Sequence, residues 1–249
     1  MNLVRFLGTG SSMGVPVVTC HCAVCLSMMS ENKRMRPSAL LKWEGQVFLI
    51  DAGPDLRNQG LKWGIDHVDG VLLTHAHHDH TAGLDDLRIY NFRNKAPLPL
   101  LASNATADEV ELRFHYMFSQ QRLEFQRLSH EKGEVEFLGV PIRYFSYVQT
   151  GMPITGYRLG NFAYVTDIKE YDPSIFEELK GVEVLVLSAL RDDPSPMHLT
   201  LNDAVEFATK VRAQQTYLTH IAHEIDHSKG NERLPENIRL AYDGLEITL

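Results

Sequence analysis

Four histidines and an aspartate crowd into Thr74-His75-Ala76-His77-His78-Asp79-His80, directly behind the apolar run Asp69–Leu73. Imidazole nitrogens and carboxylate oxygens together suit zinc and similar divalent ions. In extended or loop backbone His75 and His77 point the same way and can reach one ion, while Asp79 and His80 turn toward a second. Seven of the twelve histidines fall in two segments, 75–80 and 220–227. A different donor set lies near the amino terminus, where Cys20, Cys22 and Cys25 share one short loop. Three cysteines cannot make a disulfide framework, and clustering of this kind in a reducing compartment reads as metal binding. Tetrahedral zinc needs a fourth ligand, and a site closed in this way is structural. His21, inside the cluster, is one candidate. The bland alternatives are a solvated histidine-rich loop and three cysteines buried for packing alone.

Other residues carry weaker signals. His198 stands alone in the polar stretch Asp192–Leu201, and a loop histidine titrates near neutrality, which suits proton transfer. Asp167 closes an apolar strand, where an aspartate most often serves a turn or cap. Arg88–Arg93 is aromatic and basic, and either lines a pocket or packs a helix. His227, Lys229 and Arg233 read as a solvated turn, with contact to an anionic substrate as the alternative. Gly8, Gly10 and Gly14 lack the Lys-Ser/Thr of a phosphate loop and do not fit a dinucleotide fingerprint.

These groups need a scaffold. With 249 residues, 44% apolar and 22% charged, the chain can bury a normal core, and one domain over 1–249 is expected. Its 24 basic against 32 acidic residues give −8, so binding to a nucleic-acid backbone is not expected as its main task. A small anionic substrate remains open, because metal ions supply local positive charge. No secretory signal and no membrane-spanning run is legible, so a cytoplasmic location is expected. The patterning predicts strands at Leu3–Leu7, Ala39–Trp43, Gln46–Ile50, Asp69–Leu73 and Leu98–Leu101, several more over Glu134–Val165, then Val182–Leu187, Thr216–Thr219 and Leu245–Leu249. Helices are predicted over Pro54–Trp63, Ala105–Tyr116 and Leu201–Ala213. Polar residues gather at strand ends, where α/β folds place their ligands.

His75-x-His77-x-Asp79-His80 resembles the signature of the metallo-β-lactamase superfamily, and the GTGSSMGVP loop, Asp51-Ala52-Gly53, Thr166-Asp167 and Leu218-Thr219-His220 follow in family order. Cys20-His-Cys22-Ala-Val-Cys25, His198 and the LTHIAH segment make it similar to the phosphodiesterase family of the carbon–phosphorus lyase pathway. The resemblance implies an α/β fold, an αββα sandwich of two mixed β-sheets flanked by helices, with two divalent ions (manganese or zinc) at one edge. It implies His75 and His77 on the first ion, Asp79, His80 and His220 on the second, and Asp167 between them. His223 becomes the fourth ligand of a structural zinc with Cys20, Cys22 and Cys25. His198 becomes the general acid, with Asp79 counted in the catalytic set. Where the family carries the third histidine of its first ion, this chain has Gln149, a neutral and weaker donor, so that site is expected to be weakened or lost unless His115 or His130 approaches. The implied activity is metal-dependent hydrolysis of small or cyclic phosphate esters. The alternatives are a nuclease similar to the tRNA 3′-end endonuclease, and a non-hydrolytic binding or cofactor-biosynthesis relative. A homodimer is compatible with all three.

Overall fold

In the run Ser38–Trp43, Ala39, Leu41 and Trp43 face one side and Leu40 the other; in Gln46–Ile50, Phe48 and Ile50 oppose Leu49. Such alternation of apolar residues on both faces requires a strand covered from both sides. The computed structural model, which describes residues 1–249, meets that requirement with four layers. The strands are β1 (Leu3–Gly8), β2 (Ser38–Trp43), β3 (Gln46–Ile50), β4 (Gly70–Leu72), β5 (Leu98–Ser103), β6 (Leu123–Leu128), β7 (Lys132–Phe137), β8 (Val140–Gln149), β9 (Met152–Leu159), β10 (Phe162–Val165), β11 (Val184–Ser188), β12 (Gln215–Thr219), β13 (Ile238–Leu240) and β14 (Glu246–Thr248). They form two seven-stranded mixed sheets, ordered β14-β1-β2-β3-β4-β5-β6 and β13-β12-β11-β10-β9-β8-β7. The helices are α1 (Ala23–Leu26), α2 (Leu56–Trp63), α3 (His78–Thr81), α4 (Arg88–Asn94), α5 (Asn104–Arg113), α6 (His115–Ser119), α7 (Ile175–Glu178), α8 (Leu201–Val211) and α9 (His227–Glu232).

Between the sheets lies an aromatic-rich core containing Phe6, Phe48, Phe137, Tyr157, Phe162 and Tyr164. The outer face of the first sheet (Leu49, Val71, Leu100) packs on Leu56, Tyr90, Val110 and Met117 from its helices. The outer face of the second (Leu185, Leu187, Leu218) packs on Ile175, Leu201, Phe207 and Val211. The expected sandwich is therefore present. Helix α8 starts at a full capping box, in which Thr200 Oγ1 accepts from Asp203 N–H (3.1 Å) and Asp203 Oδ2 from Thr200 N–H (3.0 Å). No helix is long and apolar enough to cross a membrane.

Three local readings change. The helix expected over Ala105–Tyr116 breaks at Phe114 (φ −113°, ψ 28°), so that α6 turns Met117 into the core. Strand β6 shows no apolar period in the sequence because it is an edge strand whose middle residues are exposed or only partly buried. Strand β13 is three residues long, too short to show a period. Arg88–Asn94 is a helix whose Tyr90 is buried and donates to the Ile65 carbonyl (3.0 Å), so the packing alternative holds for that segment.

One close approach ties the fold to the histidine loop. A Cβ on Gly83 would stand 2.1 Å from the Gly53 carbonyl oxygen and 2.8 Å from Leu56 Cβ, and one on Gly53 would stand 2.1 Å from the Asp79 oxygen. Backbone cannot yield as a side-chain tip can. Gly83→Ala should therefore cost about 3 kcal/mol and lower Tm by roughly 6–12 °C, measured by calorimetry. An unchanged Tm would show that the loop shifts freely.

Candidate metal centres and active site

Strands β3, β4 and β5 run parallel, as do β10, β11 and β12, so their carboxyl ends share an edge within each sheet. Asp51 follows β3, Thr74 and His75 follow β4, Asp167 follows β10 and His220 follows β12. Asp51, Asp167 and His220 all adopt left-handed backbone (φ 61°, 56° and 62°). That conformation costs an L-residue roughly 1–2 kcal/mol, and three instances at one edge mark a place where chemistry outweighs local comfort. The sheets are also pinned to each other here. Thr155 N–H donates to the Thr74 carbonyl (2.8 Å), and the buried Tyr157 hydroxyl reaches the carbonyls of Leu73 (2.7 Å) and Leu101 (3.0 Å).

Two donor clusters result, His75–His77–Asp167 and Asp79–His80–His220, each with its ligand atoms within 4.8 Å of one another. His80 Nε2 lies 3.5 Å from Asp79 Oδ2 and 3.3 Å from Asp167 Oδ2; His220 Nε2 lies 3.4 Å from each of Asp79 Oδ2 and Asp167 Oδ1. Ligand atoms 2.0–2.2 Å from one tetrahedral ion stand about 3.3–3.6 Å apart, which these separations match; in the first cluster His75 Nε2 and His77 Nδ1 stand closer, at 2.9 Å. Asp167, a member of the first cluster, also faces both histidines of the second, His80 and His220, and forms a further group with His198 and His220. The donor set also has unmet demand: His80 Nε2, both ring nitrogens of His220 and Gln149 Oε1 are buried without a hydrogen-bond partner. Orphans of this kind call for an ion or a ligand. The residues present therefore fit a pair of divalent ions.

Asp51 organises the clusters from behind. Its Oδ1 accepts from Thr74 N–H (2.8 Å), and its Oδ2 accepts from Thr74 Oγ1 (2.8 Å) and lies 2.6 Å from His80 Nδ1. Thr74 Oγ1 in turn stands 2.9 Å from His75 Nδ1. One buried carboxylate thus orients a histidine of each cluster and leaves their Nε2 atoms toward the site. Residue-type reasoning assigned Asp51 no role, although its place at a strand end was visible.

The electrostatics follow from burial against charge. His75 is pushed well below the usual histidine range by burial, then by the neighbouring His80. Burial also opposes the charged form of His80, yet Asp79, Asp51 and Asp167 prevail and raise it well above that range. Asp167 is held well below the carboxylate range against its own burial, by His220 and His80. In the absence of cations the carboxylates keep protons on neighbouring histidines, which are the protons a divalent ion would displace.

His198 reaches this centre from the loop before α8. It is 12% exposed, stacks on His220 (centroids 4.8 Å apart) and places Nδ1 3.5 Å from Asp167 Oδ1. Burial first, then His220, lowers it to about 4. Gln149 is fully buried, its Nε2 3.2 Å from Asp167 Oδ1 and 3.3 and 3.5 Å from the two ring nitrogens of His198. It therefore stands beside the first cluster, as its place in the sequence suggested, whereas His115 and His130 are exposed and belong to neither cluster.

The cysteine cluster is closed by His223. Its Nδ1 lies 3.3, 3.4 and 3.6 Å from the sulfurs of Cys20, Cys22 and Cys25. Bonds of 2.3 Å to sulfur and 2.0–2.1 Å to nitrogen give a tetrahedral S···N edge of about 3.5 Å, so the four residues fit zinc. The Cys22 thiol is lowered by the Cys25 backbone N–H and then by His223, which favours a thiolate there, whereas burial pushes the Cys25 thiol up to about 11. His21 is exposed and lies outside the cluster. His227 is no part of either centre; its Nδ1 stands 3.1 Å from Arg34 Nη2, and its backbone N–H donates to Asn32 Oδ1 (2.9 Å). Arg233 pairs with Asp192 (3.1 Å).

Comparison with known proteins settles the family. The model of the beta-lactamase superfamily domain matches residues 46–221. The chain belongs to the metallo-β-lactamase superfamily. A solved diphosphatase from the PhnP family is 38% identical, with a TM-score of 0.94, over 99% of this chain and 96% of that one. An octanoyltransferase of Porphyromonas gingivalis is 36% identical over 251 residues, 98% of this chain but only 51% of that protein. A ribonuclease Z of Methanopyrus kandleri is 25% identical across 98% of this chain and 97% of its own length. The family, the diphosphatase and the ribonuclease Z support a metal-dependent hydrolase, whereas the octanoyltransferase, of which this chain spans about half, does not bear on it. They do not support leaving nucleic acid aside, since a ribonuclease aligns over almost the whole chain.

Proposed function

We propose that this protein is a metal-dependent phosphodiesterase acting on small or cyclic phosphate esters. The observation that carries the reading is the pair of histidine–carboxylate clusters linked by the contacts of Asp167, with His198 stacked on His220. Two divalent ions, when bound, supply Lewis-acid charge for a phosphoryl group and a water ionised near neutral pH. His75 and His77 would hold the first, Asp79, His80 and His220 the second, with Asp167 common to both. Asp51 and Thr74 hold the imidazoles of His80 and His75 through their Nδ1 atoms, so that their Nε2 atoms would be the ones to take an ion. His198 then gives its proton to the departing alkoxide, leaving a phosphomonoester and an alcohol. The negative charge of the substrate favours the imidazolium and opposes the depression caused by burial and His220.

Turnover of bis-(p-nitrophenyl) phosphate after manganese or zinc reconstitution tests the reading, with a cyclic ribose phosphate and a diphosphate ester beside it. No hydrolysis of any of them would reject it. The ribonuclease Z alignment favours one second reading, an RNA-processing nuclease, and cleavage of pre-tRNA in preference to small esters would establish that instead. General acids contribute about 10²–10⁴-fold. His198→Ala should accordingly cost roughly 100-fold or more on an alkyl ester and under about tenfold on the nitrophenyl ester, whose leaving group needs no proton. Equal losses on both would remove the acid role.

A further inference from the structure

His198 rides on a loop that little else holds. No backbone hydrogen bond joins residues 192–198 to the rest of the chain. The loop is closed only at its base, where Leu190 N–H donates to the Leu199 carbonyl and Leu201 N–H to the Arg191 carbonyl, both at 3.0 Å. The His198 ring stacks on His220 and meets Gln149 and Asp167, but contacts at the ring do not set where its backbone lies. That is done by Lys169, whose Nζ donates to the His198 carbonyl at 3.3 Å. An ammonium on a carbonyl is a charge-assisted bond, stronger than a neutral one. Lys169 is itself firmly placed. Ile168 before it is fully buried in the core outside the second sheet. The N–H groups of Lys169 and Glu170 both donate to the Val148 carbonyl (3.4 and 2.9 Å), and Val148 N–H donates to the Glu170 carbonyl (2.8 Å). Asp167, two residues earlier, belongs to the same clamped stretch.

We propose that Lys169 is a positioning residue for the general acid: its ammonium, planted on the segment that carries Asp167, holds the His198 carbonyl and so fixes where the loop delivers the imidazole. This rests on the phosphodiesterase reading for what His198 does, but not for what Lys169 holds. Because post and carboxylate share one stretch of backbone, the distance from the acid to the metal clusters stays constant while residues 192–197 are left free to move.

The test uses the intact zinc-loaded protein with Lys169→Met, which keeps the stem and removes the donor, and Lys169→Arg, which restores a cationic donor. Proton–nitrogen NMR of the imidazoles should show the His198 ring signals displaced and broadened in Lys169→Met while the His223 signals stay in place. Lys169→Arg should bring the His198 signals back toward the parent, and both variants should keep the parent's zinc content. On the alkyl ester, kcat of Lys169→Met should fall about 10- to 100-fold, since a misplacement of about 1 Å can cost a hundredfold. KM should change little, the nitrophenyl ester should lose little, and Lys169→Arg should recover most of the rate. Unmoved His198 signals would overturn the proposal. A raised KM on both esters with kcat unchanged would overturn it as well, because it would make Lys169 a contact of the substrate anion. Equal losses of kcat on both esters, or loss of zinc, would overturn it too, by placing the effect at Asp167 and the metal centre. A parent that hydrolyses no phosphodiester would reject the functional reading alone, since NMR still decides what Lys169 holds.

Discussion

Asp167→Asn should lower turnover about a thousandfold or more and reduce the divalent ions retained per chain. The substitution keeps the shape and removes the charge. Asp167 belongs to the first cluster with His75 and His77 and also faces the second, with Oδ1 3.4 Å from His220 Nε2 and Oδ2 3.3 Å from His80 Nε2. Its Oδ2 also accepts from Thr166 Oγ1 at 2.7 Å. An amide in its place presents one oxygen where the carboxylate presented two, so one cluster loses its shared ligand. Lewis-acid stabilisation is worth several kcal/mol, and about 4 kcal/mol at 1.36 kcal/mol per tenfold is roughly a thousandfold. Elemental analysis of protein purified without chelator should show the loss of ion, and initial rates on the nitrophenyl diester the loss of turnover. Retention of both ions with near-parental rates would exclude Asp167 as the bridge.

His223→Ala should remove one zinc per chain and unfold the protein at a markedly lower temperature. The reason lies in what the cysteine cluster joins. Cys20, Cys22 and Cys25 sit on the long loop between β1 and β2, and His223 lies three residues beyond His220. The same two segments meet again where Ser11 N–H donates to the Ile221 carbonyl (3.0 Å), Ile221 N–H to the Thr9 carbonyl (2.9 Å) and Asn32 Nδ2 to Asp226 (2.8 Å). A site that holds its ion at a thousand times its Kd contributes about 4 kcal/mol. For a chain of this length that corresponds to roughly 8–16 °C in Tm. Because the loop also carries His220, catalytic ion affinity should fall too, by less than in Asp167→Asn. Unchanged zinc content with an unchanged Tm would dismiss the cluster as three cysteines beside a histidine.

The two predictions draw on different kinds of information. Residue type and spacing alone marked His75, His77, Asp79 and His80 as a metal-binding run, because those ligands follow one strand and are close in sequence. The cysteine triplet was legible for the same reason, and strands in both halves with helices interspersed and polar residues at strand ends pointed to sheets sandwiched between helices. Asp167, His198, His220 and His223 are different. Asp167 and His198 each stand alone in a loop, His220 and His223 share another, and their partners in the clusters and stacks described above lie 22 to 203 positions away. Only the parallel order of β10, β11 and β12, and the meeting of the two sheets at one edge, brings those loops together. Resemblance to a family could name them, but the distances come from the fold. Asp51 is the clearest case: an aspartate at a strand end has many uses, and nothing in its neighbours in sequence says that His80 and Thr74 will close on it at 2.6 and 2.8 Å. Gln149 shows the complementary limit. Its position was readable, and a weaker metal ligand was the natural expectation for an amide there. Which end of that amide faces Asp167 depends on the charge it meets, and charge at a buried point is set by everything packed around it.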